Sequence, residues 1–241
     1  MVHPAAADAP VALITAASRG VGAACARRLA ADGYRVALLA RTHGVEELAA
    51  ELGGIGVTGS VTDPADLRRL VRESLEAFGR IDAVVNNTGH PAKGELLELA
   101  DEDWHDGLDL ILLSVLRLAR EVTPVMERQG GGALVNVSSL WAAEPSLDAP
   151  VSSTLRAALS ALTKLYADRF APRGIRINTV LAGFFDSHPV SEDVRRGIPV
   201  GRVASVDEIA SVVAFLLSPQ ASYVTGQSLR ADGGLTRSVS L

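Results

Sequence analysis

Val11-Ala12-Leu13-Ile14, then Thr15-Ala16-Ala17-Ser18-Arg19-Gly20-Val21-Gly22, is the stretch on which the reading of the fold turns. The apolar run reads as a short buried strand, and Ala23-Ala24-Cys25-Ala26-Arg27-Arg28-Leu29-Ala30 reads as the helix that follows. A strand that turns through small residues into a helix aims backbone N–H groups and the positive end of the helix dipole at one spot. That spot suits a pyrophosphate. Gly20 and Gly22 let the backbone approach such a ligand and let the helix pack closely on the sheet. The same turn occurs in many α/β proteins, so the rest of the chain has to decide.

Working outward, strand-like runs alternate with helical ones. Residues 34–40 and 55–58 read as strands, with a short helix at 45–52 between them. Asp63-Pro64 opens a helix to about residue 78, with Asp63 as N-cap and Pro64 in the first turn. Residues 81–85 form a fourth strand ahead of Asn86-Asn87-Thr88-Gly89, and one long helix is expected over 101–128. Gly130-Gly131-Gly132 breaks it before a fifth strand at 133–137. A helix at 151–171, a strand at 175–180, a late helix at 205–217 and a last strand at 228–230 complete the pattern. Strands separated by helices of this length require a parallel sheet. The expectation is a single α/β domain over 11–241, a doubly wound, Rossmann-like parallel sheet with helices on both faces, after a flexible tail at 1–10.

Composition narrows the function classes. The 241 residues suit one large α/β domain, and 48% hydrophobic with 21% charged is ordinary for a globular chain. No apolar run reaches the roughly 20 residues of a membrane span. The first ten residues lack the pattern of a signal peptide, so a cytoplasmic location is the default. A net charge of −5 argues against nucleic acid as the main partner. The single cysteine, Cys25, excludes an internal disulfide and reads as a buried small residue. No metal site is expected.

Along nearly its whole length the chain resembles a short-chain dehydrogenase/reductase of the single-domain branch. The stretch Thr15 to Gly22 carries this, with Asn86-Asn87-Thr88-Gly89 and Gly132-Ala133-Leu134-Val135-Asn136-Val137-Ser138-Ser139. The closing segment matches too, through Gly201-Arg202, Glu208, Phe215-Leu216, Thr225-Gly226-Gln227 and Asp232-Gly233-Gly234. The resemblance implies a nicotinamide cofactor held by Thr15, Ser18, Arg19, Gly20, Val21, Gly22, Asn87, Gly89, Arg156 and Gly183. Ala40-Arg41 stands where an acidic residue would favour NAD, and Arg19 lies in the first turn. Two guanidinium groups there could hold a 2′-phosphate, which favours NADP(H). Both arginines also read as solvated surface residues. Three departures lie nearby: Ala16 replaces the family's first glycine, Ser60 its acid near the adenine, and Ala182-Gly183 its Pro-Gly. Ser187 falls where a residue often touches the carboxamide.

The catalytic positions depart further. The resemblance implies a serine, tyrosine, lysine and asparagine. Ser139 is the serine, but Ser152 falls at the tyrosine, Arg156 at the lysine and Ile111 at the asparagine. A serine hydroxyl is a far weaker acid than a phenol near pKa 10. Arginine stays charged and passes on no proton. Isoleucine offers a water chain nothing. Tyr34, Tyr166 and Tyr223 are the only tyrosines, and none is expected near this group. His90, Trp141, Glu144 and Asp148 lie on loops expected at the cleft mouth, as candidate substitute acids or as solvated loop residues. Arg156 also resembles the halohydrin dehalogenases, but those need the tyrosine and fill the cofactor turn with bulky side chains. The segment 183–199, a substrate lid in relatives, looks short.

Three functions follow. One is a subunit for NADP(H)-dependent keto/hydroxy chemistry, assembled with a catalytically complete relative as in aminocoumarin biosynthesis, on a small or carrier-bound substrate. The second is an atypical stand-alone NADPH-dependent ketoreductase. The third is a non-redox enzyme or binding protein using Ser139 and Arg156. The late helix and closing stretch correspond to surfaces through which the family pairs into dimers and tetramers, or read as plain core packing.

Overall fold

The computed structural model describes residues 8–187 and 189–239. The chain alternates β1 (Val11–Thr15), α1 (Gly20–Ala31), β2 (Arg35–Ala40), α2 (Gly44–Glu51), β3 (Ile55–Thr58), α3 (Pro64–Phe78) and β4 (Ala83–Asn86). It continues with α4 (Asp101–Leu108), α5 (Ser114–Gln129), β5 (Gly132–Ser139), α6 (Pro150–Phe170), β6 (Ile175–Ala182), α7 (Glu192–Gly197), α8 (Val206–Leu217) and β7 (Ser228–Ala231). The sheet has seven strands in the order β3-β2-β1-β4-β5-β6-β7, each pair parallel. The expected doubly wound sheet is therefore what forms.

Strand alternation builds one core on each face. In β1, Ala12 and Ile14 join α1, α2 and α8 on one side, and Val11 and Leu13 join α3, α5 and α6 on the other. The chain runs outward from β1 to β3, then returns to place β4 against the free side of β1. That reversal opens a crevice at the carboxyl ends of β1 and β4, the place where such sheets bind ligands.

Several boundaries differ from the sequence reading, each for a local reason. β2 begins at Arg35, because the Tyr34 N–H closes the C-terminus of α1 by donating to the Leu29 carbonyl at 2.9 Å. The expected tail at 1–10 lies outside the described residues up to residue 7. Pro10, however, is tied to the sheet, its carbonyl accepting from the Arg35 N–H at 2.8 Å. The helix expected over 101–128 is interrupted by a π-helical turn, Asp109–Leu113, so α4 and α5 are separate elements. Arg117 spans this turn to Asp109 at 2.8 Å and reaches the Thr62 carbonyl at 3.0 Å. The segment after β6, read as a short lid, contains α7 and a bridge from Phe185 to Ala204. Ser205 is the N-cap of α8 rather than its first residue.

A cation holds the far end of α8. The Arg176 guanidinium donates to the Leu216, Leu217, Ser218 and Val224 carbonyls at 2.7 to 3.3 Å. The first three are carbonyls that a helix C-terminus leaves without partners. Ile209, Val213, Leu216 and Leu217 of α8 are buried and Val212 is half-buried, so most of this apolar face is core. Replacing Arg176 by methionine is expected to cost at least about 2 kcal/mol, the scale of hydrogen bonds to a charged group. Urea unfolding measures the loss, and hydrogen exchange should speed first at the end of α8.

Candidate active site

The turn after β1 is clamped to the end of β4. Thr15 Oγ1 donates to the Asn87 carbonyl at 2.7 Å and accepts from the Asn87 N–H at 2.9 Å. Asn87 Nδ2 donates back to the Ala16 carbonyl at 3.3 Å. Gly22 sits under this clamp, where an added Cβ would lie 2.3 Å from the Ala16 oxygen and 2.8 Å from Asn87 Nδ2. Only glycine fits. Ala16, at φ +49°, takes a left-handed conformation that costs an L-residue roughly 1–2 kcal/mol.

Above the turn, the start of α1 is open. Its N-cap, Arg19, makes no side-chain capping bond, and the first turn holds no acidic residue. The first N–H groups of α1 and its dipole are therefore available to an anion. Ser18 and Val21 lie in this turn, Ser18 half-buried and Val21 buried. Arg19 and Arg41 are exposed, and neither side chain has an ion pair or hydrogen bond among the described residues. Gly89 has open space around it. Ser187 reaches the turn from the opposite wall, 3.8 Å from where a Cβ on Gly20 would be. Gly183 serves packing as well, since a Cβ there would lie 2.7 Å from Asp232 Cα. These residues fit a dinucleotide whose phosphates rest on α1.

Across the crevice, Asn86, Asn136, Thr163 and Thr179 join β4, β5, α6 and β6 through buried hydrogen bonds. Asn86 Nδ2 donates to Asn136 Oδ1 at 2.8 Å, and Asn136 Nδ2 to Thr163 Oγ1 at 3.0 Å. Ser139 ends β5, its Oγ accepting from the Trp141 N–H at 3.3 Å, which leaves its own O–H to donate. Ser152 and Arg156 lie one turn apart on α6 and bond each other, Arg156 Nε donating to Ser152 Oγ at 3.1 Å. Nη1 of Arg156 donates to the Val137 carbonyl at 3.2 Å. Both residues are only 4% exposed. Burial pushes the Arg156 guanidinium down to about 10. Ile111 lies on the π-turn, fully buried with Val115 and with Leu159 of α6.

The candidate substitute acids find other surroundings. Glu144 Oε1 accepts from the Ser238 N–H at 2.8 Å and the Arg237 N–H at 2.6 Å. The Ser238 N–H first, with that of Arg237, holds this carboxyl below its usual range, so it stays ionised and has no proton to give. Trp141 packs edge-on against Phe184, with Lys93 5.9 Å above its ring. His90 and Asp148 are exposed. Tyr166 is buried, its hydroxyl bonded to Thr123 Oγ1 at 2.6 Å, and Tyr223 is fully exposed. Cys25 lies on the buried face of α1, and that burial pushes its thiol up to about 12 and leaves it inert. The π-turn and the inward set of Arg156 escaped sequence reasoning. The four-residue spacing of Ser152 and Arg156 was the available signal for the second.

Comparison with known proteins agrees with this geometry. The family described as enoyl-(acyl carrier protein) reductase matches residues 15–236. The chain belongs to the short-chain dehydrogenase/reductase family. It is 34% identical over 238 residues to the 3-oxoacyl-(acyl-carrier-protein) reductase FabG of Escherichia coli, covering 95% of this chain and 98% of that one. The FabG of Vibrio cholerae is 33% identical, with the same coverage. Among solved structures, YwfH, described as an NADPH-dependent reductase involved in bacilysin biosynthesis, has a TM-score of 0.91 at 24% identity. That match spans 96% of this chain and 100% of YwfH, and it speaks for the fold.

The left-handed Ala16 gives a direct test of the turn. Ala16→Gly is expected to stabilise the chain by about 1 kcal/mol, a rise of some 2–4 °C in Tm for a domain of this size. Calorimetry reads the shift, and an unchanged or lower Tm would contradict the strain at this position.

Proposed function

We propose that the chain binds NADP(H) in the crevice and supports keto/hydroxy redox chemistry as a subunit assembled with a catalytically complete relative. One observation carries this reading: Ser152 and Arg156, at the positions of the family's tyrosine and lysine, bond each other inside the fold. The turn Thr15–Gly22 remains open to phosphate, with Arg19 and Arg41 beside it. Those two free guanidinium groups favour a 2′-phosphate over a ribose hydroxyl. NADP(H), when bound, would supply or take up the hydride.

The chain's own groups cover part of what carbonyl reduction requires. The Ser139 hydroxyl can donate to a carbonyl oxygen and so orient it. The proton that completes an alcohol needs a donor far more acidic than the Ser152 hydroxyl. Arg156 holds its own proton at neutral pH, and Ile111 closes the asparagine position with an apolar side chain. Losing a positioned acid typically costs about 10²–10⁴ in rate. A partner with an intact set restores it without change to this chain.

The α8–β7 face supports assembly. Val200, Phe215 and Leu229 are exposed there at 61%, 42% and 42%. A cavity of about 280 Å³ beside them is lined by Ile198, Val200, Ile209 and Val212. The relatives' names, acyl-carrier-protein reductases and a reductase of bacilysin biosynthesis, support a carrier-bound or small biosynthetic substrate. A stand-alone ketoreductase, with water or substrate supplying the proton, is the second reading, favoured by the oriented Ser139 hydroxyl.

Calorimetric titration with NADPH and NADH tests the first step. NADPH is expected to bind more tightly, and Arg41→Ala to weaken NADPH at least about tenfold while leaving NADH unchanged, as for a charge-assisted phosphate contact. NADPH oxidation is then followed with the chain alone and with a complete relative added. Turnover alone that survives Ser152→Ala selects the second reading. No binding of either cofactor removes both.

A further inference from the structure

Arg156 is a buried cation without an anion. Its guanidinium spends Nε on Ser152 and Nη1 on Val137, both uncharged acceptors. None of the ion pairs among the described residues includes it. Buried charges are normally paired or neutralised, because desolvation is otherwise uncompensated. Arginine cannot neutralise itself at physiological pH. The charge therefore lacks a partner that the chain does not provide.

Two further observations say where that partner sits. Nη2 of Arg156 has no hydrogen-bond partner among the described residues. It is nevertheless not sealed, since Ser138 Oγ is the one sealed polar side-chain atom left without a partner among them. Ser138 lies two residues beyond Asn136, whose amide reaches Thr163 of α6. Strand alternation thus turns Ser138 to the α6 side as well, next to the Val137 carbonyl that holds Nη1. Ser138 Oγ is sealed from any ligand, so the unspent Nη2 of Arg156 is the donor left open on this side of β5, one residue short of Ser139. The Ser152 O–H, whose oxygen already accepts from Nε, adds a second donor.

We propose that Arg156, with Ser152, binds the carboxylate of a small oxo or hydroxy acid whose reacting oxygen lies at Ser139. This rests on the keto/hydroxy reading of the crevice and deepens it: the substrate enters as a free acid rather than as a thioester or ester. A carboxylate accepts charge-assisted N–H bonds, and Nη2 is the guanidinium nitrogen with none spent. An ester or thioester carries no charge to pair with Arg156.

Calorimetry of the full chain with 3-hydroxybutanoate and with its methyl ester tests this. The acid is expected to bind at least about tenfold more tightly than the ester, the scale of one charge-assisted contact. Arg156→Met should abolish that preference while leaving the weak ester affinity unchanged. Should this variant fail to fold, the nitrogen NMR signals of the Arg156 side chain, assigned with Arg156→Lys, should shift with the acid and not with the ester. Equal affinity for acid and ester, a preference that survives in Arg156→Met, or equal shifts with inorganic phosphate would each overturn the proposal. Acid-selective binding by a chain that takes no NADPH would support this site and remove the redox reading. NADPH binding without acid selectivity would do the reverse.

Discussion

The paired hydrogen bonds between Thr15 and Asn87 are the contact on which the crevice depends. β1 and β4 are neighbours in the sheet but lie some seventy residues apart in the chain. Their pairing ends at Ile14 and Val85. Beyond that point the two strand ends are free to splay, and a ligand crevice requires a fixed width. The Thr15 hydroxyl closes the gap by donating and accepting at once, and Asn87 adds a bond to the Ala16 carbonyl. The turn must then fold under Asn87, which forces Ala16 into the left-handed region and leaves no room for a side chain at Gly22. The direction of α1, and with it the aim of its free N–H groups, follows from that clamp.

On the opposite bank the constraint is a run of buried amides and hydroxyls. Asn86, Asn136, Thr163 and Thr179 satisfy one another between two strands, a third strand and a helix. Buried polar groups of this kind are costly unless complete, so the network tolerates one register of α6 on β5 and β6. It thereby fixes the height of Ser152 and Arg156, which lie about three and two turns toward the N-terminus of α6 from Thr163. Arg156 can meet the Val137 carbonyl only because Thr163 has already met Asn136.

Much of this was legible in the sequence and some was not. The order of strands and helices follows from apolar runs punctuated by glycine, and Asp63-Pro64 marks its helix start as expected, Asp63 capping Ala65 at 2.7 Å. The π-turn at Asp109–Leu113 was invisible because it adds a residue to one turn without disturbing the apolar pattern around it. Arg117, which stabilises that turn by reaching back to Asp109, reads in sequence as one more surface charge. Ser152, Arg156 and Ile111 could be placed by counting, but what each touches could not. Whether an arginine reaches outward or folds inward depends on a carbonyl nineteen residues away.

The unfavourable features of this chain are not spread evenly. Ala16 holds a left-handed backbone, α1 begins without a side-chain cap, and Arg156 buries a charge that no carboxylate answers. Elsewhere, α3 and α8 are capped by Asp63 and Ser205, and Arg176 closes the end of α8. Each of the three costs is of order 1 kcal/mol or more, a substantial part of a margin of roughly 5–15 kcal/mol. A fold that had simply lost an active site would be expected to shed such costs, because nothing opposes the substitutions that relieve them. Ile111 shows that relief is available here: it fills the π-turn with an isoleucine packed against Leu159 and leaves no polar group unanswered. Strain kept at the Thr15–Gly22 turn and beneath Ser139, next to the apolar packing at Ile111, is the pattern that the proposed binding crevice predicts.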